Sequence, residues 1–264
     1  MFLSVVIPAY NEERRIGATL LDVAEYLERQ PYSSETLVVD DGSSDGTAGV
    51  VEQYAREHPQ VRLLRAPHGG KGHAVKTGML AATGEYRFLC DADLSMPILE
   101  LGKFLPPRLT DYDIAIGSRE ASGARRIGEP LARHVAGRVF NLFVRMAAVP
   151  GIQDTQCGFK CFRAEAAQAL FPLQRLPGFA FDVEVLFLAR RAGLRVVEVP
   201  IEWWYRAESK VSPLRHALGM ARDVLRVRWS AWRGAYGRPA ATPQRARTAS
   251  GGKRESSSNQ ERDV

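Results

Sequence analysis

The 264 residues, 45% of them hydrophobic, are enough to bury one sizeable core. A net charge of +6 and a pI near 9.4 suit nucleic acid, anionic lipid or phosphorylated ligands alike, so charge alone selects no partner. Three cysteines, Cys90, Cys157 and Cys161, are an odd number without CxxC spacing, which excludes a disulfide framework and a paired-cysteine zinc site.

No apolar stretch approaches the roughly 20 residues of a membrane span. The sequence enters a strand-like run at Leu3, leaving no room for a signal peptide before it. The expectation is a reduced, cytoplasmic protein whose membrane contact is peripheral.

In chain order, Leu3-Ser-Val-Val-Ile7 is a β-branched run closed by Pro8 and reads as a buried strand. Asn11 is positioned to cap a helix with Glu12 and Glu13 in its first turn and Ile16, Leu20, Val23 and Leu27 on one face. Thr36–Val39 reads as a second strand, closed by Asp40-Asp41-Gly42-Ser43, and Val50, Val51 and Tyr54 mark the next helix. Val61–Leu64, Tyr86–Leu89 and Asp113–Ile116 are further strands, with a helix at Gly72–Ala82. The alternation predicts an α/β fold with a mostly parallel central sheet flanked by helices.

Ligands of such sheets bind at the carboxyl ends of the strands, where the polar clusters of this sequence fall. Asp91-Ala92-Asp93 follows the apolar strand ending at Cys90 and delivers two hard carboxylates suited to Mg²⁺ or Mn²⁺ completed by phosphate oxygens and water. Read alone, it is equally an acidic strand-end turn. Asp40 and Asp41 end the second strand, where an acidic residue can meet a base edge or a ribose. A Rossmann dehydrogenase shares that feature but fails at the first turn, Pro8-Ala9-Tyr10-Asn11-Glu12, which lacks GxGxxG. Gly69-Gly70-Lys71-Gly72 precedes a helix, so Lys71 could meet a diphosphate, although Gly72 stands where a P-loop has Ser or Thr.

Together the ordered segments Val5-Val6-Ile7-Pro8-Ala9-Tyr10-Asn11-Glu12, Val39-Asp40-Asp41-Gly42-Ser43, Gly70-Lys71-Gly72, Asp91-Ala92-Asp93-Leu94 and Gly117-Ser118-Arg119 resemble family 2 glycosyltransferases of the GT-A fold. The resemblance covers residues 3 to about 235. Asp154-Thr-Gln-Cys-Gly-Phe-Lys160 and Glu208-Ser209-Lys210 resemble the polyprenyl-phosphate branch, closest to the dolichyl-phosphate β-glucosyltransferases. Trp204 stands where the mannose branch has Arg, and Ala207 where relatives have Gly. The spanning segments that many relatives carry are missing.

The resemblance implies a nucleotide-sugar site at Pro8, Tyr10, Glu12, Asp40, Asp41, Lys71, Asp91, Ala92 and Lys210. It implies a divalent metal at Asp91 and Asp93 and an acceptor-phosphate site at Arg119 and Arg133. Asp93 and Asp154 are the implied catalytic residues, Asp154 orienting the acceptor in preference to acting as a base, because an ionised phosphate is already nucleophilic. The implied reaction moves a sugar, glucose from UDP-glucose, onto a polyprenyl phosphate with inversion. The alternatives are a soluble or different lipid acceptor and a silent nucleotide-sugar-binding module. Nucleic acid is a partner on charge alone and is not expected.

The expected organisation is a catalytic domain at 1–212, an amphipathic basic helix at 213–238 lying at a membrane interface, and a disordered tail at 239–264 with almost no large apolar residue. Leu214, Leu218, Ala221, Leu225, Trp229, Trp232 and Tyr236 form the helix's apolar stripe, flanked by Arg215, Arg222, Arg226 and Arg233. Val135, Val139, Leu142, Met146 and Val149, with Arg138 and Arg145, form a second such stripe. Packing of both stripes on the catalytic domain is the competing expectation.

Overall fold

A computed structural model describes residues 1–205 and 213–237, with side chains omitted at Ala132, Arg133, Ala136 and residues 213–218. The expected tail, Ala207 and Lys210 lie outside the described residues. Strands β1 (Leu3–Ala9), β2 (Ser34–Asp40), β3 (Val61–Arg65) and β4 (Tyr86–Leu89) alternate with helices α1 (Ile16–Glu28), α2 (Thr47–Glu57) and α3 (Lys71–Ala81). Then follow β5 (Ile114–Ser118), β6 (Arg125–Ile127), α4 (Leu131–Ala147), β7 (Lys160–Arg163), α5 (Ala164–Leu170), α6 (Phe181–Arg191), β8 (Val196–Pro200), β9 (Glu202–Trp204) and α7 (Pro213–Trp232).

The main sheet runs β3-β2-β1-β4-β7-β5-β8. β1 is buried on both faces, which is why it reads as an unbroken apolar run. Val5 and Ile7 join the core beneath α1, and Val6 joins the core beneath α3, α6 and α7. All pairings in this sheet are parallel except those of β7, which lies antiparallel between β4 and β5. That inversion places the start of β7, and the loop leading into it, at the carboxyl ends of β4 and β5. Sequence periodicity gave no sign of β7, β8 or α6.

Asn11 does not cap α1, which begins at Ile16 behind Arg15. Asn11 instead adopts a positive φ of 54°. Its N–H donates to Ser43 Oγ at 2.9 Å, and its side-chain oxygen accepts from the Ser44 N–H at 2.8 Å. A contact between two strand-end loops thus replaces the local cap, because Asn tolerates the left-handed region.

α7 packs against α4 and α6, and Val224, Val227 and Tyr236 are buried in the same core as the sheet. The two amphipathic stripes mostly face outward. Leu131, Val135, Val139, Leu142 and Met146 of α4, and Leu225, Trp229 and Trp232 of α7, are exposed, Met146 by 76% and Trp232 by 83%. Among the described stripe residues, Val149 and Tyr236 are buried and Ala221 is half-buried. No helix among the described residues is long and apolar enough to cross a membrane.

Candidate active site

The cleft forms where β1, β2, β4 and β5 end. Pro8 is half-buried in β1, and the exposed Tyr10 ring stacks on His68 with centroids 4.3 Å apart. Glu12 is ion-paired with Arg15 at 2.5 Å.

Asp40 and Asp41 are buried at the end of β2, and Asp40 Oδ1 accepts the Ser43 N–H at 3.2 Å. The Asp41 carboxylate accepts the N–H groups of Gly69 at 3.0 Å and Gly70 at 2.8 Å, and His68 Nδ1 lies 2.9 Å from it. Asp41, expected beside the nucleoside at a base edge or ribose, anchors the glycine loop through these bonds. Gly70 has a φ of +103°, and a Cβ there would lie 2.7 Å from the carbonyl oxygen of Pro177, so no other residue fits.

The loop delivers Lys71 as the first residue of α3, its Nζ 2.7 Å from Asp91 Oδ1. Burial alone would lower the Lys71 pKa. The carboxylates of Asp91, Asp182 and Asp93 outweigh burial and raise it, so Lys71 is a cation.

After β4, the Ala92 carbonyl accepts the Thr19 hydroxyl at 2.6 Å, and Asp93 Oδ1 accepts the Ser95 N–H at 3.0 Å. These bonds hold Asp91 and Asp93 in the lining of one cavity, together with Arg119, Gln156 and Trp203. Gly158, in the loop before β7, approaches Asp91 so closely that a Cβ would lie 1.9 Å from its Oδ2. Glycine at this motif position leaves the space that the carboxylate occupies.

Arg119 faces the cavity from the end of β5, 5.4 Å over the Trp203 ring. Its Nε and Nη2 donate to the fully buried Asp154 at 2.7 and 2.9 Å, and its backbone N–H donates to the same carboxylate at 3.0 Å. Glu198 fixes Asp154 in turn by accepting its N–H at 3.0 Å. Burial works to raise the Asp154 pKa, but Arg119, by charge and hydrogen bonds, holds it down at about 2. A carboxyl held that low and spent on a guanidinium is a poor proton acceptor near neutral pH. Asp154 fixes the orientation of the Arg119 guanidinium. Cys157 is packed below, its thiol pushed up to about 12 by burial, and is no nucleophile.

The last two residues of the motif, Phe159 and Lys160, turn into the interior. Phe159 packs edge-on to Phe88 at 4.9 Å. Lys160 is buried with its Nζ 2.7 Å from Asp182 Oδ1. Trp203, Glu198 and Asp182 were not legible as site residues, because nothing local marks them. The structure describes the Arg133 backbone within α4 and not its side chain.

Among the described residues no group of three or more His, Cys, Asp or Glu side chains could hold a metal. Asp91 and Asp93 are two hard donors lining a common cavity. They fit a Mg²⁺- or Mn²⁺-sized ion whose remaining ligands come from substrate phosphate and water.

The sequence model for glycosyl transferase family 2 matches residues 4–171. The dolichyl-phosphate beta-glucosyltransferase ALG5C of Trichomonas vaginalis is 39% identical over 239 residues, covering 86% of this chain and 71% of that protein. The dolichyl-phosphate beta-glucosyltransferase of Dictyostelium discoideum is 34% identical over 243 residues, covering 87% and 74%. Glucosyl-3-phosphoglycerate synthase from Mycobacterium tuberculosis, solved with Mn²⁺, UDP-glucose and glycerol 3-phosphate, superposes with a TM-score of 0.63 at 21% identity, covering 87% of this chain and 79% of that one. At that identity the likeness is one of fold, the GT-A fold.

Proposed function

The chain belongs to glycosyl transferase family 2, and from that membership and the cleft geometry we propose that this glycosyltransferase moves glucose from UDP-glucose onto a polyprenyl phosphate. The carrying observation is one cavity lined by two strand-end carboxylates and by an arginine whose orientation is locked by Asp154, with the donor-loop cation Lys71 paired to the first of those carboxylates. The names of the relatives supply the sugar and the class of lipid.

An oxygen of the acceptor phosphate attacks the anomeric carbon while the bond from that carbon to the diphosphate breaks, and the electron pair leaves with UDP. No proton must be removed, because the attacking oxygen is already anionic, which agrees with Asp154 being engaged by Arg119. Attack opposite the leaving group turns an α-linked donor into a β-linked product. Lys71 faces the charge that grows on the departing diphosphate. Asp91 and Asp93 would hold Mg²⁺ or Mn²⁺, which supplies further neutralisation of that diphosphate. One edge of Arg119 is held by Asp154, and the guanidinium offers its remaining donors to the acceptor phosphate. Pro8, Tyr10, Glu12 and Asp40 border the nucleoside, and Asp41 contributes through the loop it anchors. Lys210 and Arg133 are further donor and acceptor contacts in this reading.

The lipid acceptor is met at a bilayer surface, with the exposed stripes of α4 and α7 as the interfacial face. Arg138 beside the α4 stripe is bonded to Glu120 at 3.0 Å, next to Arg119, and Gln156 in the cavity lies 3.8 Å from Met220 of α7. The apolar face therefore borders the acceptor side of the cleft. The cytoplasmic side of the membrane is proposed with it, on the three unpaired, buried cysteines.

The test is to incubate full-length protein, Mg²⁺ and a panel of nucleotide sugars with a polyprenyl phosphate in vesicles, and to read the product by mass and its anomeric configuration by NMR. A β-linked hexosyl lipid phosphate made from UDP-glucose is expected. Free glucose alone, or product only with a soluble acceptor, would contradict the assignment.

A further inference from the structure

Glu184 is fully buried in α6, takes no part in the chemistry above, and accepts three hydrogen bonds. The N–H groups of Arg175 and Leu176 reach its Oε2 at 3.0 and 2.7 Å, and the Tyr236 hydroxyl donates to its Oε1 at 2.5 Å. Tyr236 lies beyond the end of α7 and is itself buried. The Arg175 guanidinium sits 5.6 Å from the Tyr236 ring and bonds the Ala235 carbonyl. One carboxylate thus ties the segment 174–178 to the end of the C-terminal helix.

The other side of that segment is the first turn of α3. The Pro177 carbonyl accepts the His73 N–H at 3.1 Å. Gln174 Nε2 donates to the Gly72 carbonyl at 2.8 Å, and Lys76 Nζ donates to the Gln174 carbonyl at 2.8 Å. Gly70 and Gly72 are packed so tightly on the segment that a Cβ on either would lie 2.7 Å from the carbonyl oxygens of Pro177 and Leu176 respectively. Lys71 stands between these two glycines, so the segment cannot shift without carrying Lys71 away from Asp91. Packed interiors transmit such displacements because they have no slack to absorb them.

We propose that Glu184 and Tyr236 are positioning residues for the donor: they latch the end of α7 to the segment that seats Lys71, and so make the outward-facing C-terminal helix a structural part of the donor site. The inference rests on the reading of Lys71 as the diphosphate lysine. It extends that reading by giving the cleft a mechanical connection to the helix whose other face carries Leu225, Trp229 and Trp232.

The experiment measures UDP and UDP-glucose binding by calorimetry on the full chain with Mg²⁺, for wild type, Lys71→Ala, Tyr236→Phe, Glu184→Gln and the Lys71→Ala/Tyr236→Phe pair, alongside melting temperatures. Tyr236→Phe removes one hydroxyl and keeps the ring, so it tests the latch without emptying the core. Tyr236→Phe and Glu184→Gln are each expected to weaken UDP binding ~10-fold, the order of loss of one hydrogen bond to a charged group. The KM for the acceptor should stay unchanged. Adding Tyr236→Phe to Lys71→Ala should cost no further affinity, which a role in stability alone would not produce. If Lys71→Ala weakens UDP binding while Tyr236→Phe and Glu184→Gln only lower the melting temperature, the latch is wrong and the donor reading survives. If Lys71→Ala binds UDP like wild type, the donor reading fails and the latch with it.

Discussion

On the donor side of the cleft, buried carboxylates hold backbone amides: Asp41 takes Gly69 and Gly70, and Glu184 takes Arg175 and Leu176. On the side proposed for the acceptor, carboxylates mainly hold guanidinium groups, Asp154 that of Arg119 and Glu120 those of Arg126 and Arg138, and α4 and α7 present an exposed apolar face. On the proposed reading, the contrast matches the physical state of two substrates. A soluble nucleotide sugar brings no surroundings, so its site must be preorganised by the fold. A lipid phosphate arrives in a bilayer, so the protein needs one oriented cation for the headgroup and a surface that tolerates apolar contact.

The largest expected effect falls where the two halves meet. Asp93→Ala should lower turnover on the order of 10³-fold, comparable to removal of a principal electrostatic stabiliser. Its melting temperature should stay close to wild type, since Asp93 is only half-buried. Chelation of divalent ions should reproduce the loss in wild type. Turnover that resists both would remove the metal from the account.

Gly158→Ala should come next, on the order of 10²-fold in turnover, because the added methyl collides with the Asp91 carboxylate at 1.9 Å. Steady-state rates at saturating substrates, with circular dichroism confirming the fold, check it. A silent Gly158→Ala would mean that Asp91 need not hold its place.

Asp154→Asn should destabilise by about 3 kcal/mol, because it leaves a largely enclosed guanidinium without its counter-ion. The sign with pH is set by the lowered pKa of Asp154. Its contribution is complete above the ordinary carboxyl range near pH 4 and is lost as pH falls through about 2. Wild-type activity should therefore show no limb from this carboxyl between about pH 5 and 8. A pH–rate limb in that range that disappears in Asp154→Asn would restore it as a base.

The smallest of these effects, and the one most specific to the acceptor half, belongs to Arg119→Lys. It keeps the charge but loses the fork held by Asp154, and should raise the acceptor KM ~10-fold with the donor KM unchanged. The reverse split would move Arg119 to the donor side.

Much of this arrangement was legible before any coordinates. The first strands announced themselves as apolar runs, and the carboxylates that follow them necessarily fall at the sheet's carboxyl edge. Asn11 misled because capping preference is local, whereas its partners Ser43 and Ser44 come from the next loop. β7 is four residues long and begins inside the motif that ends at Lys160, so periodicity had nothing to register. Asp154 was recognisable by its motif, but its attachment to Arg119 spans 35 positions. Tyr236 was legible only as an apolar stripe residue and Glu184 carries no local signal, and their hydrogen bond spans 52 positions. Pairings of that kind are set by tertiary packing and by no sequence pattern.

The division between a preorganised donor half and a surface-borne acceptor half is tested most directly by one paired titration on wild type and on Trp229→Ala/Trp232→Ala. UDP-glucose binding with Mg²⁺ is measured first without lipid, and transfer to polyprenyl phosphate is then followed in anionic vesicles at low and high salt. The expected result is donor binding that is saturable without lipid and equal in the two proteins, with vesicle binding and transfer falling in the double variant. Donor binding that appears only when vesicles are added, or transfer in vesicles that is indifferent to both tryptophans, would contradict it.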